Sequence, residues 1–106
     1  MRFLTDVISS RNNNLVKWTS SLLEKKGRKE ARSFVVEGEK LSFEALGFGL
    51  PVTHIFVCED KRERIFPILN GFSNDTRYEN TSVILLSQSA FEKISTEKSP
   101  VFKIVI

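Results

Sequence analysis

Residues 54–58 read H-I-F-V-C and residues 82–86 read S-V-I-L-L, and these two runs decide the fold class. Each is an unbroken apolar stretch of strand length, which is typical of a strand that is covered on both faces of a sheet. Helical patterns precede and follow both runs. Strands that alternate with helices predict an α/β fold, here a three-layer α/β/α sandwich with a mostly parallel central sheet.

Shorter patterns predict the remaining elements. Residues 33–36 (S-F-V-V) and 101–106 (V-F-K-I-V-I) favour two further strands, and residues 95–100 a loop before the last one. The spacing of apolar residues predicts four helices. The first spans residues 15–26, with Leu15, Trp18, Leu22 and Leu23 on its apolar side. The apolar residues of the other three are Leu41, Ala45, Leu46 and Phe48 in the second, Ile65 and Phe66 in the third, and Ala90, Phe91 and Ile94 in the fourth.

Short polar side chains and glycines mark the predicted helix ends. We expect Asn13 or Asn14 to cap the first helix, because a short side-chain oxygen can accept from first-turn amides, and Gly27 to end it. The other predicted markers are a capping box of Asp60 with Glu63, a kink or stop at Pro67, and a cap at Ser87 or Ser89.

Composition limits the class of protein. The 106 residues, 41% of them hydrophobic and 27% charged, suit one globular domain over residues 1–106. A single cysteine, Cys58, excludes a disulfide framework and a cysteine-based zinc site, and we interpret it as an inert core thiol. With His54 as the one histidine, at the start of an apolar strand, no nucleophilic triad is indicated. We therefore predict no catalytic residue and no metal.

No membrane or export signal is present in the sequence. No apolar run approaches the roughly 18–20 residues that span a bilayer, and the N-terminus lacks a signal-peptide core. We therefore expect a cytoplasmic protein with no membrane partner. Because the last residues form an apolar, strand-like run, whereas a natural C-terminus is more often polar, we also expect this chain to be a piece of a longer protein.

Positive charge is concentrated in one segment. The formal net charge is +3, yet residues 11–32 hold seven basic and two acidic side chains, and residues 41–106 hold seven basic and eight acidic ones. A local surplus of this kind favours phosphate-bearing partners. The alternative is a solvated helix followed by a basic loop, with no ligand.

Four short motifs lie in and around this basic segment. They are I-S-S-R-N-N-N-L-V-K at 8–17, K-K-G-R at 25–28, S-F-V-V-E-G-E-K-L at 33–41 and I-S-x-x-x-S-P at 94–100. Together they resemble the N-terminal substrate-binding domain of the SpoU (TrmH-like) RNA ribose 2′-O-methyltransferases of the SPOUT class. The matching positions are Ser10, Asn13, Val16 and Lys17, then Lys25, Lys26 and Arg28, then Phe34, Val36, Glu37 and Gly38.

The resemblance implies a fold and a function. The fold is the α/β/α sandwich that small kink-turn-binding ribosomal proteins share. The function is to hold structured RNA, either rRNA or tRNA, while a knotted domain after residue 106 binds S-adenosylmethionine, transfers the methyl group and forms a homodimer. This chain alone is then expected to be a monomer with no cofactor. The alternatives are a free-standing RNA-binding module of the ribosomal type, and an α/β scaffold for protein contacts.

Eight residues are the candidate RNA-binding residues. Basic side chains can contact phosphates, and arginine does so with bidentate geometry. Asn13 is expected to cap a helix at least as much as to contact RNA. Glu37 has the alternative of pairing with an arginine of the basic segment or capping a turn. Trp18 is expected to pack in the core rather than stack on a base. The candidates are Asn13, Lys17, Lys25, Lys26, Arg28, Lys29, Arg32 and Glu37.

Overall fold

The computed structural model describes residues 1–96 and 102–106, and for residues 102 and 103 it describes the backbone. Two short 3-10 turns, Glu59–Lys61 and Thr76–Tyr78, connect elements of the sheet and helices. The strands and helices in chain order are β1 (Arg2–Ile8), α1 (Asn14–Ser21), α2 (Lys25–Ala31), β2 (Val35–Glu37), α3 (Glu39–Gly47), β3 (His54–Cys58), α4 (Arg62–Asn70), β4 (Ser82–Leu86), α5 (Gln88–Ile94) and β5 (Phe102–Val105).

The five strands form one sheet in the order β1-β4-β3-β5-β2. Strands β1 and β3 both pair in parallel with β4, whereas β5 pairs antiparallel with both β3 and β2. Since β5 alone is reversed, β1, β4, β3 and β2 all run in the same direction. The predicted α/β sandwich with a mostly parallel sheet is therefore confirmed.

Helices cover both faces of this sheet, and alternation along β3 separates two cores. Ile55 and Val57 pack in one core with residues of α3 and α4. Phe56 and Cys58 point to the opposite face, where α1 and α5 supply the partners. The strand predictions for residues 54–58 and 82–86 are confirmed residue by residue.

The first strand is missing from the sequence-based prediction. Strand β1 lies at an edge of the sheet, where Leu4, Thr5 and Asp6 are exposed. Its register also slips, because Phe3 pairs with Val83 but Val7 pairs with Leu85. An irregular edge strand of this kind has neither the continuous apolar run nor the clean alternation that reveals a strand in a sequence.

Two predicted helix boundaries are wrong, and of the kink or stop predicted at Pro67 the stop does not occur. The predicted helix 15–26 is two helices, and Gly27 lies inside the second of them instead of ending the first. No side-chain cap bond opens α4, so Asp60 and Glu63 form no capping box, and Pro67 lies within α4 without ending it.

The stripe predicted for α3 is half right. Ala45 and Leu46 are buried, but Leu41 and Phe48 are 59% and 82% exposed. The predicted caps at Asn13 and Ser87 are confirmed by side-chain hydrogen bonds to the first turns of α1 and α5. The predicted loop 95–100 and the motif at 94–100 lie partly outside the described residues, as does residue 101 of the last predicted strand.

Candidate nucleic-acid interface

Asn13 serves as the N-cap of α1. Its side-chain oxygen accepts hydrogen bonds from the backbone amides of Leu15 at 2.8 Å and Val16 at 3.2 Å. These bonds satisfy amides that have no partner within the helix. The side-chain amide group of Asn13 is left to contact other groups, so the cap role does not by itself remove Asn13 from the candidate site.

A tight corner joins α1 to α2. The backbone amides of Leu22, Leu23 and Glu24 donate to carbonyls in the last turn of α1, and α2 begins at the next residue. Gly27 lies against this corner, because a Cβ added there would be 2.0 Å from the carbonyl oxygen of Ser21. Glycine is therefore required here for close approach of the two helices.

Arg28 stabilises the same corner. Its guanidinium nitrogen Nη1 donates to the carbonyl oxygens of Leu22 at 3.1 Å and Leu23 at 3.0 Å. A cation at the C-terminal end of a helix also complements the negative end of the helix dipole. The structure thus gives Arg28 an intramolecular role, with its other guanidinium nitrogens left for further contacts.

Four exposed cations cover the outer surface of α2. Lys26 and Glu30 form an ion pair at 4.0 Å, which contributes little because both side chains are exposed. Within the described part of the chain, none of the other three has an acidic partner within ion-pair distance. With Lys17 on the exposed side of α1, they define what we call the basic face: Lys17, Lys25, Lys26, Lys29 and Arg32.

Arg32 has an unusual backbone conformation. It lies at φ 52 and ψ 39, the left-handed region, and is the one non-glycine residue with positive φ among the described residues. This position ends α2, and the amide of Arg32 donates to the carbonyl of Arg28. Glycine is the usual residue at such a helix end, since a residue with a Cβ costs about 1–2 kcal/mol there.

Glu37 is engaged with the end of α5. Its carboxylate accepts from the hydroxyl of Ser95, from the backbone amide of Thr96 at 3.1 Å and from the Thr96 hydroxyl at 3.3 Å. Glu37 thus ties the end of β2 to the chain that leaves α5.

The eight candidate residues lie at two opposite ends of the sheet. Glu37 ends β2 and Asn13 follows β1, so both lie at the carboxyl ends of strands that share one direction. Helix α2 leads into the start of β2. Val35 at the start of β2 and His54 at the start of β3 both pair with Val105, so the two strands start at the same end of the sheet. The basic face therefore extends from α1 to the amino ends of the strands, away from Glu37.

The chain's histidine is half-buried and its cysteine is buried. Burial lowers the pKa of His54 below 6.5, so the neutral imidazole is favoured, and its Nδ1 lies 2.8 Å from the Thr53 hydroxyl. Burial, with smaller effects of a hydrogen bond and the charge of Asp60, raises the pKa of the Cys58 thiol to about 11. A thiol that stays protonated is a poor nucleophile. Trp18 packs on the core beside His54, with ring centroids 5.4 Å apart, as the core interpretation predicted.

Two exposed aromatic residues were not predicted as part of any site. Phe34 was assigned to a strand and Phe48 to a buried stripe, yet they are 49% and 82% exposed. The position of Phe48 between Gly47 and Gly49 was the available signal, since a residue at the end of a helix often projects beyond the core that the helix covers.

Residues 1–96 and 102–106 contain no helix with the length and apolarity to cross a membrane, and no cluster of three metal-ligating side chains.

Comparison with known proteins identifies the family. The model of a family described as the MRM3-like substrate binding domain matches residues 13–102. No curated protein matches the chain in sequence.

Several solved structures share the fold. An RNA 2′-O ribose methyltransferase matches with a TM-score of 0.73 at 22% identity, over 94% of this chain and 36% of that chain. An AdoMet-bound rRNA methyltransferase from Sinorhizobium meliloti matches with a TM-score of 0.73 at 24% identity, over 94% of this chain and 35% of that one. A proposed RNA methyltransferase of the TrmH family from Porphyromonas gingivalis matches with a TM-score of 0.64 at 28% identity, over 89% of this chain and 34% of that one.

This chain thus spans 34% to 36% of the length of these three solved chains. The family match covers most of its residues and agrees with the resemblance to SpoU (TrmH-like) substrate-binding domains that the sequence motifs indicated. The chain belongs to the family of MRM3-like substrate-binding domains.

Proposed function

We propose that this domain binds structured RNA, either rRNA or tRNA, for a SpoU-type RNA 2′-O-ribose methyltransferase. The match to a substrate-binding family and the RNA methyltransferases with the same fold support this proposal. The observation that carries it is the basic face, whose cations are exposed and, apart from the weak Lys26–Glu30 pair, unopposed within the described residues.

The chemistry of the basic face suits the phosphates of folded RNA. Structured RNA is recognised mainly through shape, phosphates and 2′-hydroxyls. Each cation that neutralises a phosphate releases condensed counterions, and this release drives binding. The corner held by Gly27 and Arg28 fixes α2 relative to α1, so that the cations of both helices are presented on a rigid surface.

S-adenosylmethionine is the methyl donor that we propose for the whole enzyme. The described residues do not fit it, because each of their buried side-chain nitrogen and oxygen atoms already has a hydrogen-bond partner. A cofactor site needs convergent polar groups that the fold leaves available. We accordingly propose that a second domain of a longer, cytoplasmic, homodimeric enzyme binds the cofactor and carries out the transfer.

A salt titration of RNA affinity tests the role of the basic face. A variant with Lys25→Gln, Lys26→Gln and Lys29→Gln should bind a structured rRNA or tRNA fragment at least tenfold more weakly in low salt. The slope of log affinity against log salt should become shallower by about 2–3, since each lost phosphate contact removes about 0.7–0.9.

A charge-matched control is available on the other helical layer. Lys40→Gln, Lys61→Gln and Arg62→Gln together remove the same charge from α3 and the start of α4. This control should keep its affinity within about twofold of the unsubstituted chain, as expected when net charge alone changes away from the contact surface. Equal weakening in both variants would contradict the assignment to the basic face. Failure of the unsubstituted chain to bind any structured RNA would contradict the proposed function.

A further inference from the structure

Phe34 and Phe48 expose aromatic rings at the same end of the sheet as α2. Phe34 immediately precedes β2, and Phe48 follows α3, which runs back from the carboxyl end of β2 toward the amino ends of the strands. Their side chains are 49% and 82% exposed, although phenylalanine is among the residues most often buried. Two such rings at one end of the sheet differ from apolar residues scattered singly over a surface.

The backbone of Phe34 is fixed by the last strand pair. Its amide donates to the carbonyl of Ile106 at 3.1 Å, and the amide of Ile106 donates back at 2.9 Å. Side chains alternate along a strand, so Phe34 points to the same face as Val36, which packs against the core under α3 and α4. Phe34 therefore lies on the face of the sheet that α3 covers.

Phe48 lies at the neighbouring end of α3. Its amide donates to the carbonyl of Glu44 at 3.0 Å, and Gly49 then turns the chain at φ 76. The guanidinium of Arg77 fills the space beside Gly49, because a Cβ added there would be 1.9 Å from its Nη1 atom. The turn that presents Phe48 is thus held by the helix end and by a packed side chain.

Arg32 joins the basic face to Phe34. It is exposed, it lies two residues before Phe34, and it adopts the left-handed conformation that glycine would adopt with less strain. Non-glycine residues in this conformation are found preferentially at functional sites. An exposed cation thus lies two residues from an exposed ring along the chain, and a nucleotide offers both a phosphate and a base.

We propose that Phe34 and Phe48 stack on unpaired bases of the same RNA whose phosphates the basic face contacts. This inference rests on the proposed function and makes it more specific. Bases inside a duplex have their faces covered by neighbouring base pairs, whereas bases in loops and bulges can be turned out and stacked on aromatic side chains. The substrate is thus an RNA with a single-stranded loop or bulge beside a folded stem. The basic face at the same end of the sheet favours a phosphate-bearing partner over a protein.

Two RNAs and three variants test this proposal. The probes are a hairpin whose loop carries the fluorescent base 2-aminopurine and a fully paired duplex with the same stem sequence. Phe34→Leu and Phe48→Leu keep an apolar side chain and remove the flat aromatic face. Leu41→Ala is the control, because Leu41 is an exposed apolar residue of α3 without an aromatic ring.

The aromatic variants should bind the hairpin about fivefold to a hundredfold more weakly and the duplex with unchanged affinity. Their salt slope should stay unchanged, since no phosphate contact is lost. Binding of the unsubstituted chain should quench 2-aminopurine, and Phe48→Leu should reduce that quenching. Leu41→Ala should behave as the unsubstituted chain.

Hairpin affinity that does not change in Phe34→Leu and Phe48→Leu would overturn the inference. If the lysine variants still lowered the salt slope, the proposed function would stand without it. If the chain bound neither RNA, both would fail. An aromatic variant that abolished self-association in sedimentation, with RNA binding unchanged, would assign the rings to contact with a second copy.

Discussion

Trp18 and His54 pack against each other, with ring centroids 5.4 Å apart and ring planes inclined by 50°. They are the only tryptophan and the only histidine in the chain. His54 also stacks on Phe56 at 6.1 Å, so the imidazole lies between α1 and the core of the sheet. Tryptophan fluorescence therefore reports on the protonation of one known group.

We expect the fluorescence of Trp18 to fall as His54 is protonated, because an imidazolium quenches a neighbouring indole. Burial lowers the pKa of His54, so the midpoint should lie below pH 6.5. Since the folded state favours the neutral ring, the contribution to stability is present above pH 6.5 and is lost as the pH falls through the folded pKa. A pH titration of fluorescence and of the free energy of unfolding measures both effects.

His54→Gln is the control for this titration and should remove the fluorescence step. A midpoint above pH 6.5 would contradict the prediction. It would mean that attraction between the imidazolium and the indole outweighs the cost of burying the charge.

Gly27→Ala should destabilise the protein. The new Cβ would clash with the carbonyl of Ser21, so α2 would have to move, at a cost of about 1–3 kcal/mol. Gly47→Ala is the matched control, because a Cβ at Gly47 meets no atom within 4 Å, and alanine should raise helix stability there by at most about 1 kcal/mol. Urea unfolding of both variants measures the difference, and equal stabilities would show that the corner has room to adjust.

Asn13→Ala should lower the free energy of unfolding by about 1 kcal/mol, because two first-turn amides of α1 lose their acceptor. Asn13→Asp keeps an acceptor oxygen and should retain the stability of the unsubstituted chain. The same pair separates the cap from RNA contact, since an aspartate beside a phosphate would repel it. RNA affinity that falls in Asn13→Asp at unchanged stability would place Asn13 in the interface, and an unchanged stability of Asn13→Ala would contradict the cap.

Cys58 should resist alkylation in the folded protein. Its side chain is 1% exposed, and burial raises its pKa from 9.0 to about 11, so little thiolate forms at mildly alkaline pH. Because only the unfolded chain ionises freely, this thiol should lower the free energy of unfolding as the pH rises from 9.0 toward about 11. Iodoacetamide labelling with and without urea, read by mass spectrometry, checks the first point.

Cys58→Ala should lack this additional loss of stability at high pH, and the difference between the two pH profiles isolates the thiol. Labelling of the folded chain at the rate of a free thiol would contradict the prediction.

The central strands could be predicted from sequence because their surroundings impose a simple pattern. Both faces of β3 and β4 are buried, so each residue from Ile55 to Cys58 and from Val83 to Leu86 is apolar. The caps at Asn13 and Ser87 could also be predicted, since they depend on residues within three positions along the chain.

Helix α2 could not be predicted in the same way. Its sequence K-K-G-R-K-E-A buries no residue and has a glycine near its middle, so it shows no apolar periodicity. Its position depends on tertiary contacts, the approach of Gly27 to Ser21 and the bonds from Arg28 to the end of α1. The candidate site residues lie at two ends of the sheet, and which end each one occupies depends on the direction of β2. That direction follows from the antiparallel pairing of β5 with β2 and β3, which the sequence does not reveal.

The insertion of β5 between β3 and β2 sets an order on the completion of the domain. Strands β1, β4 and β3 can pair while the protein is being made, but among the described residues β2 has no neighbour in the sheet except β5. Until residues 102–105 have left the ribosome, β2 lacks its partner strand, whereas α1 can already pack on β3, β4 and α5. A nascent chain can therefore assemble β1, β3 and β4 with α1 and α5 first, and it adds β2 to the sheet only after β5 has been synthesised.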